Sequence, residues 1–378
     1  MNLRRSGVLR AGAAAGALLV GTMTLAACGS DDNSASSGID AANSDATCEG
    51  KPNLSGAGSS AQKNAMDQFV ATYIAVCQQQ GKTVNVAYNP TGSGDGRTQF
   101  VASQVDFAGS DSAIKDEQAE EAKNRCVGGE AWNLPLVFGP VALAFNLEGV
   151  DDLVLDADTT AKIFNGQITE WNDPAIAALN EGVSLPAERI TPIVRSDSSG
   201  TTDNFQKYLE TAAPESWTSG AGSDFTGGVG EGAKGSAGVA QAVAGGPNSI
   251  TYVEESFAKQ NDLTIAKLDN GNGPVELNET TTGKAIEEAA FVGDGGPGDL
   301  TLDLSSIYGN TSAEAYPLML ATYEIVCSAG YDADTSAAVK SFLTSAANEG
   351  QEGLAEQGYA PLPDSMREKI TASVAAIA

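Results

Sequence analysis

The chain contains no histidine. That removes the Ser-His-Asp and Cys-His nucleophile arrangements and every histidine-based metal site. Its five cysteines form no CxxC pair, which argues against a zinc knuckle. Positive charge is also scarce: 21 Lys and Arg stand against 49 Asp and Glu, a formal net charge of −28. Three of the basic residues (Arg4, Arg5, Arg10) lie in residues 1–27 with no acid among them, so the chain from Cys28 onward carries 18 basic against 49 acidic groups. Such a field repels nucleic acid and anionic membrane surfaces. Any anion site in this chain must therefore be built locally, against the field of the whole.

At the N-terminus, "MNLRRSGVLR" is a basic leader and "AGAAAGALLVGTMTL" an apolar stretch too short to span a bilayer comfortably. Residues 1–27 thus read as a signal peptide. "LAAC" (25–28) resembles the lipobox of bacterial lipoproteins, in which Cys28 becomes the lipidated first residue; an ordinary secretory peptide would leave Cys28 a bystander. Arg4-Arg5 leaves the export route open between the general and twin-arginine systems. The following residues, to about 47, have no aromatic and one large aliphatic side chain, so residues 28–47 read as a lipidated cysteine and a flexible tether. Export also places Cys48, Cys77, Cys126 and Cys327 in an oxidising compartment.

The remaining length suffices for two domains and a large core. Met66, Phe69, Val70, Tyr73, Ile74 and Cys77 share one helical face. "KTVNVAYNP" reads as a strand, "TQFVASQ" as a short helix, "VDFAGSD" as a strand and "KDEQAEEAKNR" as a polar surface helix. Further on, 189–195 reads as a strand, 203–212 as a helix, "SAGVAQAVAG" as a helix and "SITYV" as a strand. This alternation predicts an α/β fold with a mostly parallel sheet. "NLPLVFGPVALAFNL" (133–147) reads as two extended segments around Gly139-Pro140, and "LMLATYEIVC" (318–327) as a return crossing. Two crossings predict two lobes, 48–137 plus 317–378 and 138–316, with a cleft. Four cysteines allow three connectivities. Cys77 and Cys126 each end a predicted helix in one lobe, which favours that pair and leaves Cys48 with Cys327.

Four loops share one chemistry: "SGAGSSAQ" (55–62), "NPTGSGDGRTQF" (89–100), "FAGSDSAI" (107–114) and "RSDSSGTTDNF" (195–205). Each follows a strand, and most lead into a helix. In open α/β sheets ligands sit at the carboxyl ends of strands, where helix N-termini present unsatisfied N–H groups and partial positive charge. Glycine permits close approach, and Ser and Thr add donors without net charge. Several such termini aimed at one spot form an anion site with no excess of Lys or Arg. Taken singly, each loop reads as a helix cap or a turn. "GAGSSA" lacks the acid a dinucleotide turn needs about 20 residues on, and "GSGDGRT" lacks the P-loop spacing and lysine.

Together with "IFNGQITEWNDPAI" and "SITYVEESFA", the blocks "SGAGSSA", "GSGDG", "VDFAGSD" and "RSDSSGTTDNF" resemble the signatures of the bacterial phosphate-binding proteins, PstS, receptors of the phosphate ABC transporter. The resemblance runs from about residue 51 to the C-terminus. It implies a two-lobed type II periplasmic-binding-protein fold, α/β, with two mostly parallel sheets joined by two crossing strands and a hinge that closes on one dehydrated phosphate. It implies a monomer that binds inorganic phosphate outside the membrane and hands it to permease subunits, without cofactor, metal or catalysis, held to the membrane by the lipid on Cys28.

Carried onto this chain, the implied ligands are Ser59, Ser60 and the N–H of Ala61; Ser93; Asp111; and Arg195, Ser199, Gly200 and Thr201. The family commonly has Thr-Phe where this chain has Ser60-Ala61, and often a second serine where it has Gly94. Arg195 offers a planar fork of donors. Asp111 is paradoxical, because a carboxylate repels an anion unless the ligand brings a proton. Phosphate does so near neutral pH and sulfate does not. A polar site robbed of its partner discriminates by roughly 10⁴-fold or more, so Asp111 is expected to act as a phosphate-versus-sulfate filter. On residues alone it reads equally as a helix cap or an arginine's partner.

Trp171 is expected to pack a helix-entry turn, with "NDP" as cap and Pro at the first helical position. Asp95 and Asp197 read as loop fasteners, with Arg97 pairing with either. "GEGAKGSAG" resembles a phosphate cradle, but the resemblance places it near the cleft without direct ligation. The competing readings are a secreted phosphatase or serine hydrolase, for which the chain offers no histidine, and the same fold tuned to another oxyanion such as sulfate or molybdate.

Overall fold

Nine strands join into one continuous sheet in the computed structural model of the chain, which describes residues 44–114 and 117–378. The signal peptide, Cys28 and most of the expected tether lie outside the described residues, as do Lys115 and Asp116 of the polar helix. The sheet order is Asn85–Asn89, Asn53–Gly58, Phe107–Ser110, Met319–Cys327, Ala131–Asn146, Ser249–Glu254, Thr191–Arg195 and Glu231–Ala233, with Thr264–Ile265 added beside the long strand. Pairing is parallel at both ends of this order and antiparallel in the centre. The two expected parallel sheets are thus the two ends of a single sheet.

All but the last residue of 133–147 form part of one strand, Ala131–Asn146, not two segments. It pairs with Met319–Cys327 as far as Pro140 and with Ser249–Glu254 from Val141 onward. Proline, which has no N–H to give a ladder, sits where the ladder changes partner, so the strand runs on unbroken. Pro135 is accommodated likewise, beside a register shift between Thr322 and Tyr323. The return strand lies in the centre of the sheet, between Phe107–Ser110 and Ala131–Asn146, and the chain re-enters it where Leu318 O accepts from Val141 N at 3.0 Å.

The helix Lys63–Gln79 buries Met66, Phe69, Tyr73 and Cys77 as its spacing predicts, but adds Thr72 and Val76 while Val70 and Ile74 stay half-buried. Two helices begin earlier than their composition suggests. One is Ser93–Val101, not 98–104, and the other is Gly200–Ala212, not 203–212. In both, glycine and hydroxyl residues that read as loop form the first helical turn. Trp171 is fully buried 6.0 Å from the Phe145 ring, and its indole N–H donates to Asn248 O. Asp173 caps the next helix, with Pro174 at its first position.

The cysteines pair as Cys48–Cys77 and Cys126–Cys327, with Cα separations of 5.5 and 5.2 Å, which corrects the expected connectivity. Cys77 and Cys126 do both sit at or just past helix ends, but different neighbours cover them. The segment before Cys48 lies against the end of the first helix, where Gln80 donates to Ala46 O and Ser341 accepts from Cys48 N. Cys327 closes the return strand beside Ala131, near the turn that holds Cys126. Among the described residues no helix is long and apolar enough to cross a membrane.

Candidate functional site

Backbone crowding brings the first three loops together. Gly58 has φ +141°, a conformation that disfavours a side chain, and any Cβ there would strike Gly109 O. Gly96 packs against Gly58 Cα in the same way. Hydrogen bonds fix the contact: Ser59 N donates to Gly109 O at 2.7 Å and Gly92 N to Gly58 O at 2.8 Å.

Asp111 sits at this junction, 3% exposed. Its Oδ1 accepts from Ser59 Oγ at 2.6 Å and Thr322 Oγ1 at 2.7 Å, and its Oδ2 accepts from Ser93 Oγ at 3.0 Å. A carboxylate has about four acceptor positions, so one remains, on Oδ2. Burial pushes this carboxyl above its ordinary range, while the three hydroxyls and the charge of Arg195 pull it back. Asp111 caps no helix and pairs with no arginine among the described residues.

The fourth loop closes against that free position. A Cβ on Gly200 would lie 2.6 Å from Ser93 Oγ and 2.7 Å from Asp111 Oδ2, so only glycine brings the start of helix Gly200–Ala212 so near. Ser199 caps this helix, its hydroxyl accepting from Thr202 N at 3.1 Å. The first N–H groups of a helix have no partner within it, and here the cap takes up that of Thr202. Asn204 ties the turn across by donating to Asp111 O at 2.7 Å and Gly200 O at 2.8 Å.

Arg195 ends its strand 4% exposed. Its Nε and Nη2 donate to Asp197 at 2.8 and 2.5 Å, and its Nη1 to Thr201 Oγ1 and Ser236 Oγ, each at 3.3 Å. One of its five N–H groups is left over. Burial works against the charge of Arg195, but Asp197 and Glu254 hold it above its usual range. Asp197 also accepts from Gly235 N at 2.9 Å and is a loop fastener, as expected. Arg97 pairs with neither Asp197 nor Asp95, correcting that expectation. Arg195 already occupies Asp197, and Arg97 turns instead to Gln118, Ser110 and Ser223.

Of the residues singled out in the sequence, Ser59, Ser93, Asp111 and Gly200 thus form one cluster, and Ser60, Arg195 and Thr201 an adjoining one. Ser60 joins the second through Ser236, whose N–H donates to Ser60 Oγ at 3.0 Å. Ala61 N donates to Ser59 Oγ at 3.1 Å, and Tyr359 reaches Ala61 O from the C-terminal segment at 2.7 Å.

Sequence reasoning missed Thr322, Ser236 and Glu254. Thr322 and Glu324 interrupt an otherwise apolar strand, and that interruption was the available signal. Ser236 lies in the glycine-rich loop set aside as not ligating. Glu254 is wholly buried and accepts from Thr201 Oγ1 at 2.6 Å. Burial raises its carboxyl, and Arg195, Thr201 and Ser236 oppose that rise.

A family model described as a PBP superfamily domain matches residues 33–347. The phosphate-binding protein PstS3 of Mycobacterium bovis BCG is 47% identical over 373 residues, covering 98% of this chain and 99% of that protein. PstS2 of the same organism is 48% identical over 372 residues, covering 97% and 99%. PstS of Pasteurella multocida is 33% identical over 324 residues, covering 84% and 89%. Among solved structures, a high affinity periplasmic phosphate-binding protein bound with phosphate superimposes with a TM-score of 0.67 at 21% identity, covering 85% of this chain and 93% of that one.

Proposed function

The chain belongs to the PBP superfamily and, within it, to the PstS phosphate-binding proteins, and from that premise we propose that it captures one inorganic phosphate outside the cytoplasm and delivers it to the permease of a phosphate ABC transporter. The ligand sits where the two clusters meet, between lobes 48–137 plus 317–378 and 138–316. The lipid on Cys28 holds the protein at the outer face of the membrane. It acts as a monomeric binding protein, without catalysis or cofactor.

The observation that carries this reading is the count on Asp111: three hydroxyls donate to it and one acceptor position stays open beside Gly200. Hydrogen phosphate fills that position with its own O–H. Its remaining oxygens take N–H groups at the start of helix Gly200–Ala212, the hydroxyl of Ser60 and the free N–H of Arg195, while Ser59 and Ser93 stay committed to Asp111 and Thr201 to Glu254. Closing the lobes removes water, which strengthens each of these charge-assisted bonds. Sulfate lacks the hydrogen, so one of its oxygens would face the carboxylate directly.

The substitution D111N tests this. Its amide can accept the phosphate proton and can equally donate to a bare oxygen. Calorimetry is expected to show phosphate affinity within about tenfold of wild type and sulfate affinity raised by about 100-fold or more, a large part of the roughly 10⁴-fold discrimination such a site supports. Sulfate affinity that stays negligible in D111N would place the filter elsewhere.

A further inference from the structure

Behind the first loop lies a second carboxyl that phosphate binding as described does not use. Glu324, in the return strand Met319–Cys327, is completely buried. Neither of its oxygens has a hydrogen-bond partner among the described residues, and neither does the side-chain oxygen of Gln62. Two orphaned groups of this kind are costly, because each loses its water without replacement. Strand pairing sets Glu324 beside Gly109, and the space a side chain at Gly109 would take is filled by the Gln62 amide and the Tyr88 hydroxyl. From there a chain of hydrogen bonds leads to the site. Gln62 Nε2 donates to Tyr88 Oη at 3.0 Å, and Tyr88 Oη donates to Ser59 O at 2.9 Å.

We infer that Glu324 is a positioning residue that works as a neutral acid, its O–H supplying the donor that the Gln62 oxygen lacks and completing a chain from Glu324 through Gln62 and Tyr88 to Ser59. The inference rests on the phosphate-binding reading above. Ionisation would withdraw that donor and leave a bare carboxylate behind a loop that must receive an anion. The titratable groups facing Glu324 are Asp111, from the end of strand Phe107–Ser110, and Tyr88, from Asn85–Asn89, with Tyr359 behind Tyr88. The long strand places Leu134 opposite it and the first helix contributes Gln62, so no positive charge comes from either. Burial pushes the Glu324 carboxyl up to about 8; the nearby Gln62 amide lowers it somewhat, without reaching hydrogen-bond geometry, and Asp111 adds to the rise.

Phosphate affinity measured by calorimetry on the full chain in detergent, from pH 6 to 9.5, tests this for wild type, E324Q and E324L. Glutamine keeps a donor for Gln62 and cannot ionise; leucine offers none. Changes in the charge of phosphate and of Asp111 are common to all three proteins and cancel in their ratios. Wild type and E324Q are expected to agree up to about pH 7, with wild type about 30-fold weaker by pH 9.5, the linkage for a group near 8 that must stay protonated in the complex. E324L is expected to bind several-fold more weakly than E324Q at pH 7, with no extra alkaline loss. Parallel profiles for wild type and E324Q, or equal affinities for E324L and E324Q at pH 7, would overturn the inference. Absence of phosphate binding by wild type at every pH would instead overturn the functional reading on which it rests.

Discussion

At Gly200 one missing methyl group sets the geometry of the site. A Cβ there would sit 2.5 Å from Asp111 Cβ and 2.7 Å from Asp111 Oδ2, in the space assigned to the ligand's O–H. G200A is therefore expected to weaken phosphate binding by 100-fold or more, roughly 3 kcal/mol, while the protein still unfolds cooperatively, as calorimetry and thermal denaturation would show. Unchanged affinity would mean that the ligand does not approach the start of this helix. At this scale much was legible. Asp111, Arg195 and the run Ser199–Gly200–Thr201 stand out because a fixed cation, an acid and clustered hydroxyls on glycine turns suit few other tasks. Thr322 stands out as a polar residue in an apolar strand, but its tie to Asp111 emerges only when the return strand lies beside Phe107–Ser110. Glu254 and Ser236 needed the same kind of long-range pairing.

At the scale of elements, glycine obscured where helices begin. Gly94, Gly96 and Gly200 have poor intrinsic helix propensity, yet each lies in a first turn because the backbone must come close to a neighbour. The disulfides depart from expectation for a related reason: two cysteines at helix ends need not face each other. Cys48–Cys77 spans 29 residues and Cys126–Cys327 spans 201. Cross-linking stabilises mainly by restricting the unfolded chain, more for the longer loop. C126S/C327S is thus expected to lose about 2–5 kcal/mol in urea unfolding, and C48S/C77S less. Both variants should still bind phosphate when folded, since neither bridge touches the site. An equal or greater loss in C48S/C77S would show that local packing at the N-terminal segment outweighs loop length.

For the molecule as a whole, the acidic field opposes its ligand. The site holds an anion through N–H and O–H groups and a single arginine already paired with Asp197, while the chain carries a net charge of −28. Screening reduces that repulsion, because the Debye length shrinks to about 8 Å at physiological ionic strength. Phosphate association followed by stopped-flow should therefore accelerate several-fold as salt rises from low to physiological strength. A rate that falls with salt would mean that local positive potential steers the ligand in. The fold class was legible from strand–helix alternation, but the union of both parallel sets into one sheet was not. It depends on a strand that runs through Pro140, where local propensity reads as a break.

The most direct test is calorimetric titration of the purified protein at neutral pH with phosphate, and separately with sulfate. The account predicts one phosphate per chain and no measurable heat from sulfate at the same concentrations. Sulfate binding as tightly as phosphate, or no phosphate binding at all, would contradict it.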